Sequence, residues 1–273
     1  MHAPYRGHRI VPAAAAPLDT FTAPIAAYGF RKLRTAYSGP GVRIRRASDD
    51  AELDIGFLGF VPGLGSPWDE AAATAHCAAT TCFVRTWYDQ SGNARDLIQA
   101  TTVNQPQLVL GCQNGVACMQ VAAATHSLAS AVSVTPATGV ATLSAVAKRV
   151  SGTAACVLLR ENASAGQRFL TQNAAANGWQ LNGGTSGSVI AAAADNAWHA
   201  GVGAVSGASS LVRIDEAETT GTATGSVTAG PVAMGGASAT VCQEVEAILW
   251  DNTVLTPAER TALVNNQRSF WGF

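Results

Sequence analysis

The sequence predicts an all-β domain, a two-layer antiparallel sandwich with a few short peripheral helices. Three observations lead there. From Ala141 onward, short apolar runs alternate with Gly/Ser/Asn turns: 143–150, 155–160, 168–172, 179–181, 188–192, 198–205, 211–214 and, late in the chain, 241–250. Many short strands at regular spacing indicate a sandwich or barrel. Only 13% of the 273 residues are charged, against about 25% in ordinary soluble domains. The polar surface is therefore Ser, Thr, Asn, Gln and Gly, which favour turns and strands. The third observation is the stretch from Cys77 to Asn93. Two cysteines bracket four small residues, an aromatic and β-branched run follows, and Asp89-Gln90-Ser91-Gly92-Asn93 closes it as a turn with Asp89 as its cap.

The elements follow in order. Residues 1–23, rich in Pro and Ala and without a period, read as an extended arm ahead of a single domain, 24–273. Pro24 to Tyr37 reads as an amphipathic helix with Ile25, Tyr28, Leu33 and Ala36 on one face and Arg31, Lys32 and Arg34 near the other. Val42 to Asp49 alternates as a strand with Arg43 and Arg45 outward, and Ala51 to Phe57 is a second strand. Ser66-Pro67-Trp68-Asp69 starts a helix over 67–76, with Ser66 as its cap. Gln107 to Gly111, Val116 to Ala122 and Ser127 to Ala131 are further strands. Thr256, Pro257 and Glu259 form a capping box for a last helix over 257–270. Short spacing predicts bridges Cys77–Cys82 and Cys112–Cys118. Cys156 and Cys242 lie in apolar runs, either paired across strands or as buried thiols.

Composition also bounds function. A net charge of −1 gives no reason for a nucleic-acid or anionic-membrane partner, and no run approaches the roughly 20 apolar residues of a membrane span. Cysteine spacing and low charge suggest an oxidising setting, yet residues 1–19 are short and proline-broken for an export signal. A virion surface protein released by lysis reconciles the two; an extracellular location is the alternative. No metal-binding spacing, phosphate loop or nucleophile elbow is present, and no cofactor is expected. Carboxylates are the remaining chemistry. Asp215, Glu216 and Glu218 read as solvated; Glu244 and Glu246, two apart, read as one exposed polar face.

Ala36-Tyr37-Ser38-Gly39 through Arg46-Ala47-Ser48-Asp49-Asp50, then CAATTC at 77–82 and WYDQSGNARDLIQA at 87–100, resemble the N-terminal half of the fungal-type α-L-arabinofuranosidase B catalytic domain. Related segments resemble phage tail and surface proteins. The likeness is dense over 26–110 and thins to a generic laminin-G-like ending, VEAILWDNTVLTPAERTAL. It implies a concanavalin-like jelly roll and a retaining glycosidase with two carboxyl groups. At the family's acid/base loop this chain has Gly235-Gly236-Ala237-Ser238-Ala239, with Ala237 in the aspartate's place. At the family's nucleophile strand it has Gly178-Trp179-Gln180-Leu181-Asn182-Gly183, with Glu161-Asn162 as a rival match. The family's adjacent cysteine pair and separate arabinose-binding domain have no counterpart. Those departures lead the expectation to a non-catalytic structural or glycan-binding virion component. It would contact host carbohydrate through Trp179, Asn182 and Trp198, meet neighbouring subunits through its arm, and form a homo-oligomer. The alternative is an arabinofuranosidase-like retaining hydrolase using Glu161 or Glu246.

Overall fold

The computed structural model describes residues 16–60, 65–135, 139–152, 155–161, 167–173, 178–184, 187–192, 196–224, 228–236 and 240–273. The strands are β1 (Ala26–Gly29), β2 (Arg31–Lys32), β3 (Val42–Arg46), β4 (Glu52–Ile55) and β5 (Ser66–Pro67); helix α1 (Glu70–His76) precedes β6 (Cys82–Trp87) and β7 (Leu97–Ile98). Then come β8 (Gln107–Gln113), β9 (Val116–Val121), β10 (Ser127–Val134), β11 (Ala141–Ser151), β12 (Cys156–Glu161), β13 (Arg168–Asn173), β14 (Gly178–Gly183) and β15 (Ser188–Ala192). The chain finishes with β16 (Trp198–Val205), β17 (Gly207–Ile214), β18 (Ala217–Ala223), β19 (Gly230–Gly235), β20 (Val241–Asp251) and helix α2 (Pro257–Trp271).

Pairing makes two antiparallel layers. The front runs β4-β3-β6-β7-β10-β19-β12-β13-β14-β15, and the back runs β9-β20-β11-β16-β17-β18 with β1 also beside β20. Strand β8 pairs with both β6 and β9 and so joins the layers along one side. Inward residues of the two layers meet in the core: the Trp179 ring of β14 lies where a side chain on Gly201 of β16 would stand. Cys156 of β12 is bonded to Cys242 of β20, which resolves that pair as an inter-layer bridge; Cys77–Cys82 and Cys112–Cys118 are bridged as expected.

Asp89 does more than cap its turn. Its carboxylate, 4% exposed, accepts bonds from the backbone N–H of Ser91, Arg95 and Ala27 and from the Ser91 hydroxyl. The Ala27 bond fastens the turn to β1.

Three element readings need correction. The predicted helix at 24–37 is two short strands, β1 and β2. Ala26 through Gly29 are all buried, so the stretch is the continuous apolar run of a central strand and not an amphipathic face. Arg31, read as part of the polar face, is fully buried against Glu246. The first helix begins at Glu70 with Asp69 as cap, because Asp69 accepts from the Ala72 N–H, while Ser66 and Pro67 pair with β2 as β5. Of the arm, residues 1–15 lie outside the described residues; Leu18 is buried in the core and Trp250 Nε1 donates to the Thr22 carbonyl, so residues 16–23 pack on their own chain. Helix α2 begins with the expected capping box and ends at Gly272 in the left-handed region.

Candidate active-site face and rim

Strand register lays one row of side chains across the outer face of the front layer. Ile98 pairs with Ala129, Ala129 with Ala233, Ala233 with Arg160, Arg160 with Phe169, Phe169 with Asn182 and Asn182 with Ser188. Paired residues share a face, so these side chains all point away from the core. Along the row Ala129, Arg160 and Phe169 are half-buried, Ala233 is covered, and Ile98 is exposed at one end. Gly235, the last residue of β19, and Gly236 after it both have positive φ; a side chain on Gly235 would strike the His126 carbonyl, so glycine is required there. A methyl on Gly236 would stand 3.4 Å from Arg160 Nη2, which places the guanidinium beside that turn.

Two groups on this row have unused hydrogen-bonding capacity. Arg160 Nε and Asn182 Nδ2 are buried without a partner. Burial also lowers the pKa of Arg160. Among the described residues no carboxylate stands on the row between Ile98 and Ser188.

The carboxylates lie elsewhere. Glu161, the residue after Arg160, points inward: it pairs with Val232 and Arg168, and all three are fully buried. It is the last residue of β12, facing the first of β13, so it stands at one rim of the sandwich. Arg168 Nε approaches Glu161 Oε2 at 2.9 Å, at an angle that makes an ion pair without a hydrogen bond. The same guanidinium reaches Asp251 Oδ1 at 3.1 Å and the Val140 carbonyl at 2.7 Å. Burial raises Glu161 to about 7; Arg168 opposes the shift and Asp251 adds to it.

Glu246 is committed to structure. Its carboxylate accepts Arg31 Nε at 2.7 Å and Nη2 at 3.2 Å, Gln267 Nε2 at 3.0 Å and Trp271 Nε1 at 3.1 Å. These bonds pin α2 to the back layer, so Glu246 is removed as a catalytic candidate. Glu244 and Glu246 do not form the exposed pair that their spacing suggests. Both are buried, and the register slips so that they face Ala147 and Val146, consecutive residues of β11 with opposite directions. Glu244 has no bonded partner for Oε1, and burial raises its pKa well above the ordinary carboxylate range.

Glu216 and Glu218 are exposed, as expected, and all three carboxylates are paired: Asp215 bonds His199 at 2.7 Å, Glu216 pairs with Arg268 at 2.8 Å, and Glu218 holds Arg260 at 2.9 Å. Trp179 is fully buried in the core, so it offers no stacking platform. Trp198 is 9% exposed on β16 of the back layer, on the face opposite the core-facing Gly201. Asn182 alone of the three predicted ligand residues is on the front face. Ala237 and Asn162 lie outside the described residues. A cleft of about 580 Å³ beside Lys32, Tyr37, Phe57 and Phe60 includes Asp54, which Arg43 and Tyr88 already occupy. Sequence reading does not single out Arg160 and Phe169, which the register sets opposite each other. Their signal, a cation and an aromatic opposite each other, exists only once the register is known.

The pairing defines a two-layer antiparallel β-sandwich. The catalytic-domain model of α-L-arabinofuranosidase B matches residues 19–164, more than half of the chain, and the chain belongs to that family. It is 40% identical over 92 residues to α-L-arabinofuranosidase B of Emericella nidulans, covering 32% of this chain and 17% of that protein. It is 38% identical over 92 residues to the α-L-arabinofuranosidase of Hypocrea jecorina, again 32% and 17%. The fold superposes on a GH54 α-L-arabinofuranosidase soaked with 4-nitrophenyl α-L-arabinofuranoside at a TM-score of 0.70 and 18% identity, over 91% of this chain and 63% of that one. An arabinofuranosidase complexed with arabinofuranosyl-α-1,2-xylobiose superposes at 0.68 and 17%, with the same coverage. The alignable stretch is thus about a sixth of the curated relatives' length. These matches overturn the expectation of a non-catalytic virion component: the relatives are hydrolases.

Proposed function

We propose that this chain is a retaining glycoside hydrolase acting on α-L-arabinofuranosyl groups. Membership of the α-L-arabinofuranosidase B catalytic family carries the reading. Retaining hydrolysis needs a proton donor and a carboxylate nucleophile about 5–5.5 Å apart. Glu161 and Asp251, held on one Arg168 guanidinium at the rim, are the carboxyl pair that supports it. With its pKa raised to about 7, Glu161 keeps much of its proton at neutral pH, as a general acid must. Its side chain is fully buried beside Arg168. The three disulfides support an extracellular place of work.

The test is release of 4-nitrophenol from 4-nitrophenyl α-L-arabinofuranoside by the parent, Glu161→Gln and Asp251→Asn, each checked for folding. Loss of a general acid costs typically 10²–10⁴-fold in rate. Turnover in the parent that both changes abolish is the expected result. No turnover between pH 4 and 8 refutes the activity; turnover that survives both changes refutes the assignment of the carboxyl pair.

A further inference from the structure

We propose that the front-face row is a subsite for an acidic sugar, with Arg160 gripping the carboxylate of a uronic acid carried by the glycan. This rests on the hydrolase reading above and names the glycan class that reading leaves open. The strand register supplies the first argument. Arg160, Phe169 and Asn182 lie on three neighbouring strands at paired positions, so all three present to one face. Two strand spacings separate Arg160 from Asn182 by about 10 Å, a gap one sugar ring fills with the half-buried Phe169 beneath it. The second argument is bonding capacity. Arg160 Nε and Asn182 Nδ2 are buried donors without an acceptor in the fold, and unused buried donors are costly unless a ligand takes them. The third is charge. Glu161 faces the core on Arg168, so no carboxylate of the described row answers the Arg160 guanidinium. A planar guanidinium whose Nε has no acceptor suits a carboxylate, which guanidinium groups bind bidentately.

The test reads binding and not turnover, so it stands apart from the activity assay. Calorimetry compares tri-galacturonic acid with neutral galactotriose on the parent, Arg160→Gln, Arg160→Lys and Asn182→Ala at low and high salt. The parent is expected to bind the acid about 10- to 100-fold more tightly than the neutral trimer, with the preference shrinking as salt rises. Arg160→Gln erases the preference, Arg160→Lys keeps part of it, and Asn182→Ala weakens both sugars alike. Equal affinity for the two trimers in the parent overturns the proposal. So does a preference for the acid that persists in a folded Arg160→Gln variant. If Arg160→Gln does not fold, the parent's salt dependence and Arg160→Lys decide: a preference indifferent to salt, or unchanged in the lysine variant, refutes it.

Discussion

Replacing Glu246 with Gln separates structure from catalysis. The carboxylate and its Arg31 partner are both fully buried, with contacts of 2.7 and 3.2 Å. The amide keeps the volume but removes the charge, leaving Arg31 without its carboxylate under α2. Breaking a buried pair by removing one partner costs about 3–5 kcal/mol, because the surviving charge is no longer compensated. Trp271 and Gln267 also donate to this carboxylate, and one of these donors must face the new NH₂ group. At roughly 2–4 °C per kcal/mol for a chain of this size class, the melting temperature falls by about 6–20 °C. The assay is urea unfolding with the disulfides intact, followed by circular dichroism. The double change Arg31→Met with Glu246→Leu recovers most of the loss, since well-packed apolar residues replace buried pairs at little cost. A Glu246→Gln protein within about 0.5 kcal/mol of the parent, yet inactive, would refute the structural assignment and make Glu246 catalytic.

Glu161 predicts a pH dependence. Its folded pKa lies near 7 against an ordinary 4.5, so between those values the folded state holds a proton that the unfolded state has released. Stability therefore falls as pH rises through that window, by about 3 kcal/mol in all, and Glu161→Gln flattens the slope in unfolding curves taken from pH 4 to 8. A slope unchanged in the variant contradicts this. Glu244 is raised too, so Glu244→Gln stabilises increasingly toward high pH in the same titration; destabilisation at pH 8 would show that the carboxylate has a partner. Removing the Cys156–Cys242 bridge opens a loop with a sequence separation of 86, costing about 4–5 kcal/mol by the loop-entropy relation; the Cys77–Cys82 bridge, with a separation of 5, is worth about 2. Paired Cys→Ala variants compared by urea midpoint check the order, and an equal effect would refute it. Gly201→Ala drives a methyl into the Trp179 ring and destabilises by about 1–3 kcal/mol, read by melting temperature; a neutral effect would mean that the ring is not seated there.

Much of the architecture was legible because alternation is a local property. Ser188 to Ala192 and Trp198 to Val205 emerge with the bounds their apolar runs suggest, and the Thr256-Pro257-Glu259 box starts α2 where it should. The N-terminal misreading has a physical cause. Charges at 31, 32 and 34 imitate the polar side of a helix, but Arg31 is neutralised by a glutamate 215 positions away, a partner that no local window contains. The strand Ala217–Ala223 is mostly exposed and built of Thr, Glu, Gly and Ala, so it carries no apolar alternation, and Gly230–Gly235 is a short run broken by Pro231 and bounded by glycines.

The site was less legible, and one bulge explains why. Cys156 faces inward, bonded to Cys242. Strict alternation from Cys156 would turn Arg160 inward and Glu161 out onto the open face. The register instead slips between Val157 and Leu159: Val157 pairs with Thr171, Leu159 with Leu170, and Leu158 is the extra residue. One extra residue reverses every later side chain on the strand. Arg160 therefore stands on the front face opposite Phe169, and Glu161 turns to Arg168 at the rim. In the sequence, Val157-Leu158-Leu159 is an uninterrupted apolar run, all of it buried, so nothing in it marks which residue is extra. The chemical character of the front face, cationic rather than acidic, is set by that backbone irregularity and not by composition.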